Sequence, residues 1–125
     1  MTGKTPLWRQ VNPHWIREGR VSSQAFRPTK KDANRLSVDN GDLISAGEAY
    51  RSFSARFESA GVLAVLVAEC EAQDLQVVPD GLEGRPAHTA IDFGGLSVRR
   101  KRKAAERLRD HAVRRGWQVE PPAAP

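Results

Sequence analysis

The sequence predicts an α+β fold: a small mixed or antiparallel sheet of about four to five strands, a central helix over 45–60 and a basic C-terminal helix over 97–116. Three observations carry this. Short segments of strand character are scattered along the chain and cut off by Pro- or Gly-containing turns. Two longer stretches have helical spacing and capping residues. The chain is 125 residues long, 39% hydrophobic and 28% charged, enough for one core but not two. Residues 1–119 therefore read as one domain, and the proline-rich segment 120–125 as a frayed tail.

In chain order, Leu7, Arg9 and Val11 alternate with Trp8 and Gln10, the period of a strand. Asn12 and Pro13 suit the cap and first position of a short helix that Gly19 ends. Arg20 to Phe26 reads as a second strand stopped at Pro28, and Thr29 to Asn34 as a surface loop. Leu36 to Val38 and Leu43-Ile44 flank Asn40-Gly41, a pair suited to a hairpin or sharp turn. Ser45 stands three residues before Glu48, a capping-box spacing. Ala49, Tyr50, Phe53 and Phe57 then form an apolar stripe, and Gly61 is placed to close the helix.

The uninterrupted apolar run Val62 to Ala68 suits a central strand covered on both faces. Leu75 to Val78 is a neighbour stopped by Pro79, and Asp80 to Pro86 a loop. A last strand, His88 to Phe93, puts Thr89, Ile91 and Phe93 on one face and His88, Ala90 and Asp92 on the other. After Gly94-Gly95, Ser97 caps the basic helix, which runs to Gly116. Val98, Ala105, Leu108 and Ala112 make its shallow apolar side, interrupted by Lys101 and Arg115.

The formal charge of +5 is unevenly placed. Residues 97–116 hold nine basic and two acidic side chains, a surplus of +7, and the remaining eleven basic and thirteen acidic residues sum to −2. A localised field implies a localised partner. Arg99, Arg100, Lys103, Arg107 and Arg114 fall on the helix face away from its apolar side, a row suited to a nucleic-acid backbone or an acidic protein, such as an operon-encoded toxin or antitoxin partner. The alternatives are a solvated helix face partly neutralised by Glu106 and Asp110, or a structural element whose charges meet the protein's own Glu69, Glu71, Asp74 or Asp92.

Other classes are narrowed. No apolar run reaches the ~18–20 residues a bilayer requires, so a cytoplasmic, non-membrane protein is expected. Cys70 stands alone, which excludes an intrachain disulfide or multi-cysteine zinc site. His14, His88 and His111 are far apart in sequence, so no metal site is expected. His88 and Asp92 share a strand face but lie ~13 Å apart, too far for a local dyad. Glycine-rich phosphate loops are absent and no cofactor is expected. The polar N-terminal set Arg9, His14, Arg17, Arg20, Ser22, Ser23, Gln24, Arg27, Lys30, Lys31 and Asp32 suits a phosphate or carboxylate, or an ordinary surface. Glu69, Cys70 and Glu71, after the long apolar run, read as the point where a strand leaves the core. Trp8, Trp15 and Trp117 read as core caps.

A strand, a short helix ending in Gly19, Leu36-Ser37-Val38, a helix and a long apolar strand make an order loosely similar to that of small ADP-ribosyltransferase-like domains, RNA 2′-phosphotransferases among them. The resemblance covers element order alone. It implies an enzyme acting on a nucleotide-type substrate, with Arg9, Ser37 and Glu69 as its working residues and Arg27 near the same pocket.

Overall fold

The computed structural model describes residues 1–122 except Lys30 and Asp32. Those two positions of the expected Thr29–Asn34 loop, and residues 123–125 of the expected tail, lie outside the described residues. The strands are β1 (Pro6–Val11), β2 (Ile16–Arg17), β3 (Arg20–Val21), β4 (Arg35–Asn40), β5 (Gly61–Leu66), β6 (Gln76–Pro79) and β7 (His88–Asp92). The helices are α1 (Ala46–Ser54), α2 (Val67–Glu71) and α3 (Val98–Arg115). The architecture is α+β, with a five-stranded antiparallel sheet in the order β5-β1-β4-β7-β6 and a separate β2–β3 hairpin.

Strand alternation gives the sheet two unlike faces. Leu7, Val11, Leu36, Val38, Leu63, Val65 and Ile91 share one face by register and belong to the main core cluster. Ala104, Ala105, Leu108 and Ala112 of α3 pack against them, joined by Ala25 and Phe26. The opposite face carries Trp8, Gln10, Ser37, Asp39 and His88 and is only partly covered by α1.

Several boundaries differ from the expectation, each for a local reason. The turn at Asn12-Pro13 is one 3-10 turn, Pro13–Trp15, capped by the Asn12 side chain. Gly19 ends no helix. Glu18 and Gly19 have φ of 53° and 76°, the pair of positive values a two-residue hairpin turn requires, and they join β2 to β3. Beyond Val21 the expected strand is a second 3-10 turn, Ser23–Phe26, capped by Ser22. Asn40-Gly41 makes the sharp turn but no hairpin, because Leu43 and Ile44 hydrogen-bond back to the Asn40 carbonyl and lead into α1.

Ser45 caps α1 as its spacing implies, accepting from the Glu48 N–H at 3.1 Å. The helix stops at Ser54, short of residue 60, because the Ala60 N–H donates to the Val11 carbonyl and draws the chain into the sheet. Gly61 is accordingly the first residue of β5 rather than a helix cap. β5 is an edge strand, not the central one. Its residues are buried because α1 and α3 cover its faces and Gln118 and Val119 bond to Val62 along its outer side. Val67 and Ala68 belong to α2.

Gly41 answers to a close approach. A Cβ there would stand 2.6 Å from both Cγ and the carbonyl oxygen of Pro6. We expect Gly41→Ala to lower the unfolding free energy by about 1–3 kcal/mol, with Gly95→Ala, where a Cβ meets nothing within 4 Å, near neutral. Denaturant unfolding followed by circular dichroism checks the pair; equal stabilities would remove the steric account.

Candidate nucleic-acid interface and a second cleft

Ser97 starts α3 by accepting from the Arg100 N–H at 3.2 Å, and Gly116, at φ 93°, ends it. Between them the basic residues divide into two populations. One ties the helix to the body: Lys101 Nζ donates to Asn34 Oδ1 at 2.9 Å, and Arg109 Nη1 to the Val21 carbonyl at 3.2 Å. Arg115 donates to the Ala64 carbonyl at 2.8 Å and to Glu69 Oε2 at 2.7 Å. Lys101 and Arg115, which interrupt the apolar side in sequence, are thus anchors. Arg100 pairs with Asp74 on the surface.

The other population faces water. Arg99, Arg102, Lys103, Arg107 and Arg114 are exposed and, among the described residues, carry no ion pair or hydrogen bond with the protein. Arg99, Lys103 and Arg107 stand four residues apart, so each step rises ~6 Å along one side of the helix. Of the expected row, only Arg100 is partly neutralised. Arg102 joins the row although the wheel reading omits it.

Glu69 lies under the helix. Its Oε1 accepts from the Leu66 N–H at 2.8 Å, and its Oε2 meets Arg115 and His111 Nδ1, the latter at 3.1 Å. Burial alone would raise its pKa, but the hydrogen bonds from Arg115 and Leu66 and the charges of Arg115 and His111 hold it below the ordinary 4.5. Glu69 is therefore a structural carboxylate. Cys70 beside it is fully buried, and burial together with the charges of Glu69 and Glu71 pushes the thiol up to about 12, far from a reactive thiolate.

Arg9 and Ser37 meet elsewhere. The β1–β4 ladder stops at Trp8–Asp39 while β1 continues along β5 and β4 along β7, so a notch opens between Gln10 and Ser37. Arg9 spans it, with Nε donating to the Ala25 carbonyl at 2.7 Å and Nη1 to the Ser37 carbonyl at 2.9 Å. Its guanidinium lies 5.1 Å from the Trp15 ring centre. The notch, of about 110 Å³, shares Asp39, Phe53 and Arg85 with a cleft of about 410 Å³ between α1 and the loop 80–87. Arg27 lines a different hollow beside Lys101 and Arg102, and Glu69 lines neither the notch nor the cleft. Of the residues named by the enzyme resemblance, the structure brings together Arg9 and Ser37.

Two polar pairs at this end escape sequence reasoning. Asp39, 8% exposed, meets Arg85 at 3.3 Å. His88, opposite Asp39 in the β4–β7 register, meets Asp80 Oδ1 through Nδ1 at 2.6 Å. Asp92 meets Arg35 at 3.7 Å. His88 and Asp92 thus find partners from other segments rather than from each other. Asp39 and Arg85 are 46 residues apart, and no local pattern announces such a pair. Among the described residues no group of three or more His, Cys, Asp or Glu side chains is placed to hold a metal ion.

No protein-family model, curated protein or solved structure gives a significant match to this chain.

Because the folded pKa of Glu69 lies below its unfolded value, its contribution to stability is complete above about pH 4.5 and is lost as pH falls through the folded pKa. We expect Glu69→Gln to flatten the fall in unfolding free energy across that acid range and to lower stability at neutral pH. The wild-type slope persisting in the variant would show that other carboxylates govern it. Cys70 is expected to resist a thiol reagent in the native protein at mildly alkaline pH and to react at once in denaturant; rapid labelling of the folded chain would contradict its burial.

Proposed function

We propose that this protein binds a polyanion, nucleic acid in the first place, on the outward face of α3. The observation that carries the reading is the set of five cations, Arg99, Arg102, Lys103, Arg107 and Arg114, exposed and without partners among the described residues, on a helix whose other cations are anchored. Closing the core accounts for these side chains pointing outward but not for all five of them being cationic. Repeated cations along one helix side match regularly spaced phosphates, and counterion release supplies the driving force. Membrane insertion is a poorer use of the same face. Among the described residues no helix is long and apolar enough to cross a membrane, and the solvent side of α3 offers Val98 and Val113 but no aromatic residue.

A small enzyme acting on a nucleotide-type substrate is the second reading, favoured by the meeting of Arg9 and Ser37 at the notch. Glu69 does not line the notch, so an acid or base there would have to be Asp39 or Glu58.

Titration of duplex DNA and of single-stranded RNA across a salt series tests the first reading. With about four phosphates neutralised, log K is expected to fall with log salt at a slope of about −3 to −4. Changing Arg99, Lys103, Arg107 and Arg114 to Ala removes no ion pair or hydrogen bond among the described residues, so the fold is expected to persist while the slope collapses. Binding unchanged in that variant, or absent from the native protein at low salt, overturns the reading. Capture of an acidic protein in place of nucleic acid would keep the face and change its partner.

A further inference from the structure

We propose that the partner of α3 is B-form duplex DNA, entered through its major groove, with G·C pairs read by the middle of the exposed helix face. The inference rests on α3 binding nucleic acid and names the form of nucleic acid and the contacts made to it.

Residues advance about 100° around an α-helix, so each side chain's place on the circumference follows from its number. The buried Ala104, Ala105, Leu108 and Ala112 take about a third of the circumference of α3, and exposed positions take about half. Seated on so narrow a base, the helix keeps an outer half that can enter a groove about 12 Å wide.

The charges on that outer half are sorted by position. One border is Arg100, Arg107 and Arg114, each two turns beyond the last. Arg107 and Arg114 are exposed and unpartnered among the described residues, and Arg100 meets Asp74. The opposite border starts at Arg102 and is extended by the body, where Arg27 lines the hollow beside Arg102 and Arg20 the hollow beside Arg109. Arg20, Arg27 and Arg102 are exposed and carry no ion pair or hydrogen bond among the described residues. Cations on both sides of one helix match the two phosphate strands that wall a groove, whereas a single strand presents one row.

Between the borders run Arg99, Lys103, Glu106 and Asp110, at steps of four, three and four. Glu106 is exposed and has no ion pair or hydrogen bond with the described residues; Asp110 accepts from Arg109 Nε at 2.6 Å and is itself exposed. Carboxylates along this midline would repel phosphates or an acidic protein surface laid upon it. Base edges in the major groove suit them, because the cytosine amino group donates to a carboxylate while guanine O6 and N7 accept from Arg or Lys. A midline of both signs therefore fits G·C pairs. Duplex RNA fits less well, since its major groove is deep and narrow, and the outward side of α3 has no aromatic residue on which unpaired bases would stack.

The test titrates the native protein, at one low salt concentration, with a G·C-rich DNA duplex, an A·T duplex, an RNA duplex of the G·C-rich sequence and one strand of the G·C-rich DNA. The G·C-rich DNA duplex is expected to bind at least about tenfold more tightly than each of the others. Replacing its guanines by 7-deazaguanine, which keeps the pairing but lacks the N7 acceptor, is expected to weaken binding about tenfold. Glu106→Ala puts a good helix former at an exposed position, so the fold is expected to persist while the preference for G·C over A·T falls about fivefold. If Glu106 only opposed phosphate, the same change would tighten all four ligands alike, and that result overturns the proposal. Arg20→Ala combined with Arg27→Ala is expected to reduce the salt slope for the G·C-rich DNA duplex by about two and to leave the slope for the single strand unchanged. Equal affinity for the four ligands, or preference for the RNA duplex or the single strand, overturns the major-groove inference and leaves α3 a polyanion-binding face. Absence of binding to all four overturns both readings.

Discussion

The seating of α3 on the sheet organises the molecule. Ala104, Ala105, Leu108 and Ala112 are small or compact, so the helix axis can approach closely and bury these residues completely or nearly so. Burial of this kind is non-directional and would tolerate rotation of the helix about its axis. The register is fixed by polar anchors at intervals: Lys101 to Asn34, Arg109 to the Val21 carbonyl, and Arg115 to Ala64 and Glu69. Once those three positions are committed inward, the intervening cations must point to water. The exposed basic face thus follows from how the core is closed.

That dependence sets how much was legible in sequence. Capping and periodicity are local, and both major helices are capped by the expected residues, Ser45 and Ser97. Strand alternation also reported correctly that Thr89 and Ile91 share a face opposite to His88 and Ala90. The place of β5 was not legible, because an edge strand whose outer side is occupied by Gln118 and Val119 has the same apolar composition as a central one. Nor was the end of α1, which is decided by Ala60 bonding to Val11, a pairing between distant segments.

The candidate sites divide in the same way. A row of cations on one helix is written in consecutive residues, so its outer members could be read directly, although the anchoring of Arg100 by Asp74 depends on the fold. The notch is non-local throughout. It exists because β1 follows β5 and β4 follows β7 after their shared ladder ends, and it gathers Gln10, Ser37, Phe53 and Glu58 from four segments. In sequence Arg9 stands out as one of a polar N-terminal set and as a residue named by the enzyme resemblance. The fold accounts for it as a bridge across a gap that backbone bonding leaves open.

The occupied outer side of β5 bears on how the chain matures during synthesis. β1, made before the other strands of the sheet, pairs with β5, yet among the described residues the far side of β5 is completed by Arg115, Gln118 and Val119. Until those residues leave the ribosome, the strand presents free backbone groups and an apolar face to its surroundings. Folding of this domain is therefore expected to be completed late, with residues 115–119 acting as a latch. In that interval the nascent chain is the form most exposed to chaperones and to pairing with its neighbours.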